Sequence, residues 1–337
     1  MCSVGVFLGK SWFLKQLTGL FFSYSDCSLE QNVLGIKFKN PVGLAAGFDK
    51  DAVLCDVLPF IGFGFIEVGS ITGEPCLGNP KPRLWRLKKS KSLLVYYGLK
   101  NEGCTLISQR LKDRKFLLPV GTNIAKTNSK ATALTKSAIA DYTKAFKKFV
   151  TIGDYFTINI SCPNAYGGQP FTDTARLEKL LVEMDKIQTE KPIFLKLSPD
   201  LSTRGVDAIL AVAKRHRIHG FICTNLTKNR KNEKIMERGF SEKGGLSGKV
   251  VEDLSNDMIS YIYKKTKGKY VIIGLGGIFN AEDAYRKIKK GASLVQLITG
   301  MVFEGPQVIS EINFGLVGLL KKDGFSSISQ AIGKDNI

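Results

Sequence analysis

Eight short apolar runs follow one another along the chain, and each has the length of a β-strand. Several are apolar almost throughout, which is typical of strands buried on both faces. Most intervals between them have the 3.6-residue apolar spacing of an amphipathic helix, as in 138–150, 174–186, 204–215 and 281–289. The eight runs cover residues 41–47, 63–70, 117–125, 155–161, 192–197, 220–226, 270–278 and 293–300. Because strand alternates with helix, we predict a parallel sheet, and eight strands are the number that closes a single (β/α)8 (TIM) barrel.

The segment before these runs, residues 1–26, is apolar and aromatic. Phe13, Leu17 and Phe21 follow at i, i+4 and i+8 and predict the apolar stripe of a helix. Two lysines interrupt the segment, which is too short to span a bilayer and lacks the features of a signal peptide. We therefore predict a short apolar N-terminal extension over residues 1–30 and a barrel over residues 31–337. The helix either lies at a membrane surface or packs on the barrel.

Nearly all the predicted strands finish in small or polar residues. In a parallel barrel the carboxyl ends of the strands meet on one face, and barrel enzymes build their active sites there. The strand ends include Ala45, Ala46, Gly47, Gly69, Ser70, Asn123, Asn159, Lys196, Thr224, Asn225, Gly276, Gly277, Thr299 and Gly300. We expect these residues to surround one pocket.

Residues 159–164, Asn-Ile-Ser-Cys-Pro-Asn, concentrate more chemistry than any other strand end. Pro163 stops the strand, and Cys162 offers a nucleophile or a proton acceptor. The alternative is a turn that contains a small buried cysteine. The polar residues at the other strand ends favour the catalytic interpretation.

Glycines at the ends of the last two runs suggest a phosphate site. Gly277 and Gly300 let backbone N–H groups approach an anion closely, and the loops after strands seven and eight are a common phosphate site of barrels. The stretch lacks the full G-x-G-x-x-G spacing of a dinucleotide site. Lys50, Lys196 and several asparagines lie at other strand ends, and amides suit a flat ring with N–H and C=O edges, such as a flavin or a pyrimidine. We therefore expect a phosphorylated cofactor.

The chain carries 49 Lys and Arg against 30 Asp and Glu, a formal net charge of +19. Such an excess favours anionic partners, among them phosphates, carboxylates and acidic lipids. The basic stretches 81–89 and 228–231 match no nucleic-acid-binding motif. We predict solvated loops there and no nucleic-acid partner.

Seven cysteines are scattered along the chain without any C-x-x-C pair. This arrangement predicts no metal site and no disulfide framework. It is typical of a protein that works in a reducing, intracellular compartment.

Five blocks of residues match one family in sequence and in order. From about residue 35 to about residue 320, the chain resembles the FMN-dependent dihydroorotate dehydrogenases. The resemblance implies a flavoenzyme that oxidises dihydroorotate to orotate in de novo pyrimidine biosynthesis. The matching blocks are NPVGLAAGFDK (40–50), GFIEVGS (64–70), GNPKPRL (78–84), GGLSG (244–248) and GASLVQ (291–296).

The same resemblance assigns roles to the residues at the barrel mouth. Cys162 falls at the position of the catalytic base, and Lys50 is a second catalytic candidate because a nearby ammonium group favours the thiolate. The substrate ring would be held by Lys50, Asn159, Asn164 and Asn225. FMN would be held by Ala46, Gly47, Lys50, Ser70, Asn123, Asn159, Lys196, Thr224, Gly248, Gly277, Ile298 and Thr299. The resemblance implies no metal.

Two features that differ between classes of the family bear on the identity of the electron acceptor. The apolar extension and residues 80–83 resemble the quinone-linked class, whereas a cysteine at position 162 is characteristic of the soluble class. We predict a quinone acceptor and an intracellular protein peripheral on the cytoplasmic membrane. The alternative is fumarate or another soluble acceptor, with a cytoplasmic location if the extension only packs on the barrel.

Two positions depart from the polar residues usual in the family. Val95 stands where an asparagine contacts the substrate, and Leu226 stands where Thr or Ser follows Asn225. A missing partner for a buried polar group costs about 1–3 kcal/mol, so either a neighbour compensates or the substrate is another dihydropyrimidine. A third hypothesis, an FMN-binding protein without turnover, is disfavoured by the presence of Cys162, Lys50 and Lys196.

Overall fold

The structure is a computed structural model that describes residues 2–336. Eight parallel strands close a barrel in which each strand pairs with the next along the chain and the last pairs with the first. Numbered along the chain, they are β3 (Val42–Leu44), β4 (Phe65–Ile71), β7 (Val120–Ile124), β8 (Tyr155–Asn159), β9 (Ile193–Leu197), β10 (Gly220–Cys223), β12 (Val271–Leu275) and β13 (Leu294–Leu297). Seven of these strands lie within the predicted runs and β4 extends one residue beyond its run, so the predicted (β/α)8 barrel is confirmed.

Within residues 2–336, five strands lie outside the barrel. Two form an antiparallel hairpin, and three form an antiparallel sheet. The hairpin consists of β1 (Gln31–Val33) and β2 (Ile36–Phe38), and the sheet consists of β5 (Leu84–Leu87), β6 (Ser92–Val95) and β11 (Gly245–Gly248). The sequence analysis missed both. The sheet matters for function because several of its residues line the cavity at the barrel mouth.

Aromatic rings fill the amino end of the barrel. Phe65 packs edge-on against Phe38 of the hairpin and against Tyr155, with ring centroids 5.3 Å and 6.4 Å apart. Glycines in the neighbouring strands make room for these rings, because a Cβ on Gly43 would lie 2.3 Å from Phe65 Cζ and one on Gly121 would lie 2.1 Å from Tyr155 Cζ. The packed rings leave the carboxyl end of the barrel for a ligand.

Helices surround the barrel and bury their apolar faces against its outer surface. Asp173, Ser202 and Asn280 each accept a hydrogen bond from a backbone N–H in the first turn of the helix that follows. The four helices predicted from periodicity are confirmed within a few residues. The helices after the extension are α3 (Cys104–Leu111), α4 (Thr135–Lys148), α5 (Thr174–Asp185), α6 (Thr203–Ala213), α7 (Glu252–Thr266), α8 (Ala281–Lys289), α9 (Thr299–Glu304), α10 (Val308–Lys322) and α11 (Ile328–Ala331).

The extension forms two helices, α1 (Cys2–Lys10) and α2 (Trp12–Phe22). They pack beside residues 54–62 of the barrel, and Tyr24 makes an edge-on contact with Phe314 of α10 at 5.4 Å. Their other side is exposed, and Trp12 and Leu20 keep 71% and 81% of their surface accessible. Within residues 2–336, no helix has the length and hydrophobicity needed to cross a bilayer. The extension thus packs on the barrel and also presents an apolar surface to its surroundings.

Candidate active site

A cavity of about 420 Å³ opens at the carboxyl ends of the barrel strands. Fourteen of the fifteen site residues predicted from the sequence lie in its lining. They come from seven of the eight strand ends and from the small antiparallel sheet. These residues are Ala46, Gly47, Lys50, Ser70, Asn159, Cys162, Asn164, Lys196, Thr224, Asn225, Gly248, Gly277, Ile298 and Thr299. The convergence expected from the strand ends is therefore present.

Asn123 does not line this cavity, although the sequence analysis placed it among the cofactor contacts. It is fully buried in β7, and its Nδ2 donates a hydrogen bond of 2.7 Å to Glu67 Oε1. Its Oδ1 has no hydrogen-bond partner within residues 2–336. The side chain thus lies in the barrel interior and points its amide nitrogen at a buried carboxylate.

Glu67 is the centre of a polar cluster inside the barrel that the sequence analysis missed. Its Oε2 accepts hydrogen bonds from Tyr155 at 3.3 Å, Thr157 at 3.0 Å and Gln296 at 3.0 Å. Gln296 also lines the cavity, and its Oε1 has no partner in the described part of the chain. Because Glu67 holds the amide nitrogen, the carbonyl oxygen of Gln296 is the end left to accept from a ligand N–H.

An amide cluster lies at the ends of β8 and β10. Asn159 Nδ2 donates to Ser70 Oγ at 3.0 Å, and Asn159 Oδ1 accepts from Asn225 Nδ2 at 3.2 Å. Asn225 Nδ2 also donates to the buried hydroxyl of Ser161 at 3.0 Å. These mutual bonds hold the amides in one orientation before any ring binds.

The wall beside this cluster is less polar. Val95 and Leu226 both line the cavity. Asn164 Nδ2 donates a hydrogen bond of 2.8 Å to the backbone carbonyl oxygen of Val95. The backbone of Val95 therefore binds the Asn164 side chain, although the apolar side chain of Val95 cannot. The backbone carbonyl oxygen of Asn164 accepts a hydrogen bond of 3.0 Å from Asn79 Nδ2. Asn164 is therefore fixed from both sides.

Cys162 faces the cavity with a partly exposed side chain. Burial raises the pKa of its thiol above the usual 9.0, while the backbone N–H of Asn164 and the ammonium groups of Lys126 and Lys196 oppose that rise. Lys50 was the sequence-based candidate for this electrostatic role. Its Nζ donates to the carbonyl of Gly47 and lies 4.1 Å from the centre of the Tyr97 ring. Lys126 and Lys196 are two cations that act on the thiol in addition to the predicted candidate.

Lys126 is a second residue that the sequence analysis missed. It lies two residues beyond the end of β7, is buried, and donates a hydrogen bond of 2.7 Å to the carbonyl of Tyr166 in the loop after Cys162. A small cavity of about 10 Å³ is lined by both Lys126 and Cys162. Burial lowers the pKa of Lys126, and the Cys162 thiolate opposes this. Its position just past a strand end was the available signal, since Lys50 and Lys196 were found that way.

The opposite part of the cavity has glycine backbone and two hydroxyl groups. Gly248 and Gly277 have positive φ, and a Cβ on either would lie 2.4 Å from an atom behind it. A Cβ on Gly47, also at positive φ, would point at Ile298 Cδ1, another cavity residue, at 3.6 Å. Glycine backbone that lines a cavity in this way suits a phosphate. Together with the acceptor on Gln296 and the amide cluster, it fits a phosphorylated ring cofactor such as FMN.

This part of the cavity differs from the sequence prediction in one detail. Thr299 and Gly300 begin helix α9, whereas they were expected to end strand eight. The hydroxyl oxygens of Thr299 and Ser247 lie 2.8 Å apart. The small antiparallel sheet therefore contributes a hydroxyl beside the one on the barrel.

The fold and the site define a (β/α)8-barrel enzyme with a thiol and an amide cluster at one part of its mouth and a glycine cradle (Gly47, Gly248 and Gly277) at another. The chain belongs to the dihydroorotate dehydrogenase family of oxidoreductases, since the model of the family described as dihydroorotate dehydrogenase matches residues 28–320. Its relatives indicate the quinone-linked class within that family.

Two relatives and two solved structures illustrate this similarity. A protein named dihydroorotate dehydrogenase (quinone) from Trichormus variabilis is 42% identical over 317 residues, covering 91% of this chain and 84% of the relative. One of the same name from Natronomonas pharaonis is 39% identical over 322 residues, covering 96% and 90%. The crystal structure of DHODH from Eimeria tenella in complex with ferulenol has a TM-score of 0.84 at 31% identity, covering 96% of this chain and 94% of that chain. The ligand-free form from the same organism also has a TM-score of 0.84, with 99% of each chain covered.

Proposed function

We propose that this protein oxidises dihydroorotate to orotate in pyrimidine biosynthesis, with FMN as its cofactor and a quinone as its electron acceptor. The observation that carries the proposal is the presence in one cavity of Cys162, the amide cluster and the glycine cradle. Membership of the dihydroorotate dehydrogenase family supports the substrate. Relatives named for quinone support the acceptor.

FMN has suitable contacts in this cavity. Backbone at Gly248 and Gly277, with the hydroxyl of Thr299, would hold its phosphate. Gln296 would accept from a ring N–H, and Lys196 would stabilise negative charge at the ring edge. When bound, FMN supplies the acceptor for the hydride that leaves C6 of dihydroorotate. The predicted contacts at Ala46, Gly47, Lys50, Ser70, Asn159, Thr224 and Ile298 complete the set.

Cys162 is proposed to act as the general base. Its thiolate takes the proton from C5 of dihydroorotate onto Sγ, while the electron pair of that C–H bond forms the ring double bond. Asn159, Asn164 and Asn225 would hold the ring through its alternating N–H and C=O groups. Lys50 is proposed to bind the substrate carboxylate from its position over the Tyr97 ring.

A quinone acceptor is supported by apolar residues in the same cavity. Leu84, Leu93 and Val302 line it together with Arg86, which donates to the carbonyl of Val302 at 3.2 Å. No described residue of α1 or α2 lines the cavity. We therefore propose for residues 1–26 a peripheral contact with a membrane, through their exposed aromatic side, rather than a wall of the quinone path.

The decisive experiment is anaerobic reduction of the FMN-loaded protein. Addition of dihydroorotate should bleach the flavin absorbance, and a ubiquinone or menaquinone analogue should restore it faster than fumarate does. Absence of bleaching by dihydroorotate would overturn the proposed substrate. Restoration by fumarate alone would instead assign a soluble acceptor.

Val95 and Leu226 favour a second candidate function, oxidation or reduction of another dihydropyrimidine. Both residues line the cavity with apolar side chains where the family usually has polar ones. Such a wall suits a ring with fewer polar substituents than dihydroorotate. Dihydrouracil tested beside dihydroorotate in the same bleaching assay separates the two substrates, since faster bleaching by dihydrouracil would favour this second candidate.

A further inference from the structure

A second cavity, of about 410 Å³, lies next to the catalytic one. Asn164 lines both, so the segment that carries Cys162 forms a common wall. The other lining residues come from position 96 and from two stretches of the long segment between β10 and β11. The full lining is Tyr96, Pro163, Asn164, Ala165, Lys228, Arg230, Glu242, Lys243 and Gly244.

The lining of the second cavity is strongly basic. Its lining contains three cationic side chains and one carboxylate, those of Lys228, Arg230 and Lys243 and of Glu242. Within residues 2–336, none of these three cations has a carboxylate within 4.0 Å of its side-chain nitrogens. Lys228 and Lys243 are also exposed, so their charges act on solutes that approach from solvent. An anion entering this cavity would therefore meet cations that are not already neutralised.

Arg230 adds a more specific signal. One guanidinium nitrogen, Nη2, donates to the carbonyl of Gly244 at 2.9 Å, and the group lies 5.6 Å from the centre of the Phe240 ring. These contacts hold the guanidinium in place. Its Nη1 is buried and has no hydrogen-bond partner among the described residues. An unpartnered buried donor on a charged group is costly, and a carboxylate or phosphate oxygen is the acceptor that suits it best.

We propose that the second cavity is an anion-binding antechamber, which takes up a small carboxylate or phosphate before the catalytic cavity does. The inference rests on the proposed function in one respect, because dihydroorotate and orotate both carry a carboxylate. The two cavities share Asn164 as a wall residue, so an anion held in the second cavity lies next to the catalytic one. A free inorganic anion offers the same oxygen chemistry and is a second source of occupant.

The first experiment measures how fast orotate associates with the FMN-loaded protein, by the change in flavin absorbance. The variant Lys228→Gln with Lys243→Gln should slow association about fivefold or more at low ionic strength, and the difference should shrink in high salt. The loss should fall on kcat/KM for dihydroorotate rather than on kcat at saturation. Equal association rates in the double variant and in the unaltered protein would overturn the antechamber.

A matched control removes the same charge elsewhere. Lys112→Gln with Lys115→Gln alters two exposed lysines before β7, at the amino end of the barrel. This variant should associate with orotate at nearly the rate of the unaltered protein. If it slows association as much as the first pair does, net charge explains the effect and the antechamber is wrong.

The second experiment identifies the source of the anion, with inorganic phosphate as the probe. If phosphate competes with orotate in the unaltered protein but not in the Lys228 and Lys243 variant, free anions also use the site. If phosphate does not compete with orotate, although the Lys228 and Lys243 variant associates with orotate more slowly, the site is selective for the substrate carboxylate. Both outcomes support the antechamber.

Failure of the proposed function would be distinguishable. If dihydroorotate does not bleach the flavin in any variant, the proposed substrate fails, and titration calorimetry with phosphate and with acetate then decides on the antechamber. Saturable binding of either anion that is lost in the Lys228 and Lys243 variant would support it. Equal heats in both proteins for both anions would overturn it.

Discussion

In the proposed function, the thiol of Cys162 acts as a base in surroundings that disfavour its charged form. Burial raises its pKa, while Lys126 and Lys196 act in the other direction. Only the thiolate can accept a proton from substrate carbon, so each nearby cation increases the reactive fraction at a given pH. The charge state of this thiol therefore depends on lysines from two parts of the barrel, Lys126 just after β7 and Lys196 within β9.

The pH dependence of flavin reduction should follow from this raised pKa. Since the base must lose its proton before it reacts, the rate of dihydroorotate-driven bleaching should climb with pH through the neutral range and into the alkaline range. Anaerobic stopped-flow measurement across that range checks it. Cys162→Ala, which should bleach roughly 10²-fold more slowly while retaining its flavin, serves as the control. A rate in the unaltered protein that falls as pH rises would contradict the assignment.

Replacing Lys126 should make the thiolate harder to form. Lys126→Met removes an ammonium group that opposes the rise in the pKa of Cys162, so that pKa should move further upward. Alkylation of Cys162 by iodoacetamide, followed by mass spectrometry as a function of pH, reports it without any turnover. Lys130→Met, at an exposed position in the next turn, is the matched control and should leave the profile in place. Identical profiles for both variants would show that Lys126 has no electrostatic role.

At the scale of elements, the sequence predicted those strands and helices that a local hydrophobic pattern determines. The barrel strands are apolar runs and the four helices named above have a clear period, so both were found. The small sheet was missed because β5 and β11 read as a basic stretch and a glycine-rich stretch. In this sheet β6 pairs with β5, which lies near it in the sequence, and with β11, which brings Ser92 next to Gly248. Contacts between residues so far apart leave no local periodicity.

The exposed aromatic side chains of the extension should bind membranes without contributing to the stability of the barrel. Trp12, Phe13 and Phe21 are mostly exposed, so changing all three to Ser should weaken flotation with liposomes that contain acidic lipid about tenfold or more. The same variant should keep the melting temperature of the barrel nearly unchanged. Leu134→Ser, at an exposed position on the barrel, is the control and should float normally. Equal flotation of both variants would remove the proposed membrane contact.

At the scale of the whole molecule, the barrel brings side chains from separate strands onto one buried carboxylate. Glu67 of β4 accepts hydrogen bonds from residues of β7, β8 and β13. The sequence analysis could predict which residues surround the mouth, because strand ends converge in any such barrel. It could not predict the orientation of the Gln296 amide or the second cavity. Those depend on side-chain pairing and on loops distant in sequence.

Weakening Glu67 as a hydrogen-bond acceptor should lower the free energy of unfolding and also weaken cofactor binding. Glu67→Gln removes the negative charge and replaces one acceptor oxygen by a donor, which leaves at least one amide without its partner, at a cost of about 1–3 kcal/mol in the free energy of unfolding. FMN should also dissociate faster, since Gln296 is no longer held. Urea unfolding and flavin-release fluorescence measure the two effects. Glu190→Gln on the surface should change neither, and a Glu67 variant that behaves like it would refute the role.

The wall that contains Asn164 has a consequence for the timing of the reaction. Asn164 borders both cavities, and Cys162 lies two residues before it on the same segment. A displacement of Asn164 that opens this wall to an anion would also displace Cys162, the proposed base. In the proposed function, passage of an anion through this wall and deprotonation of the substrate ring therefore require different positions of one segment.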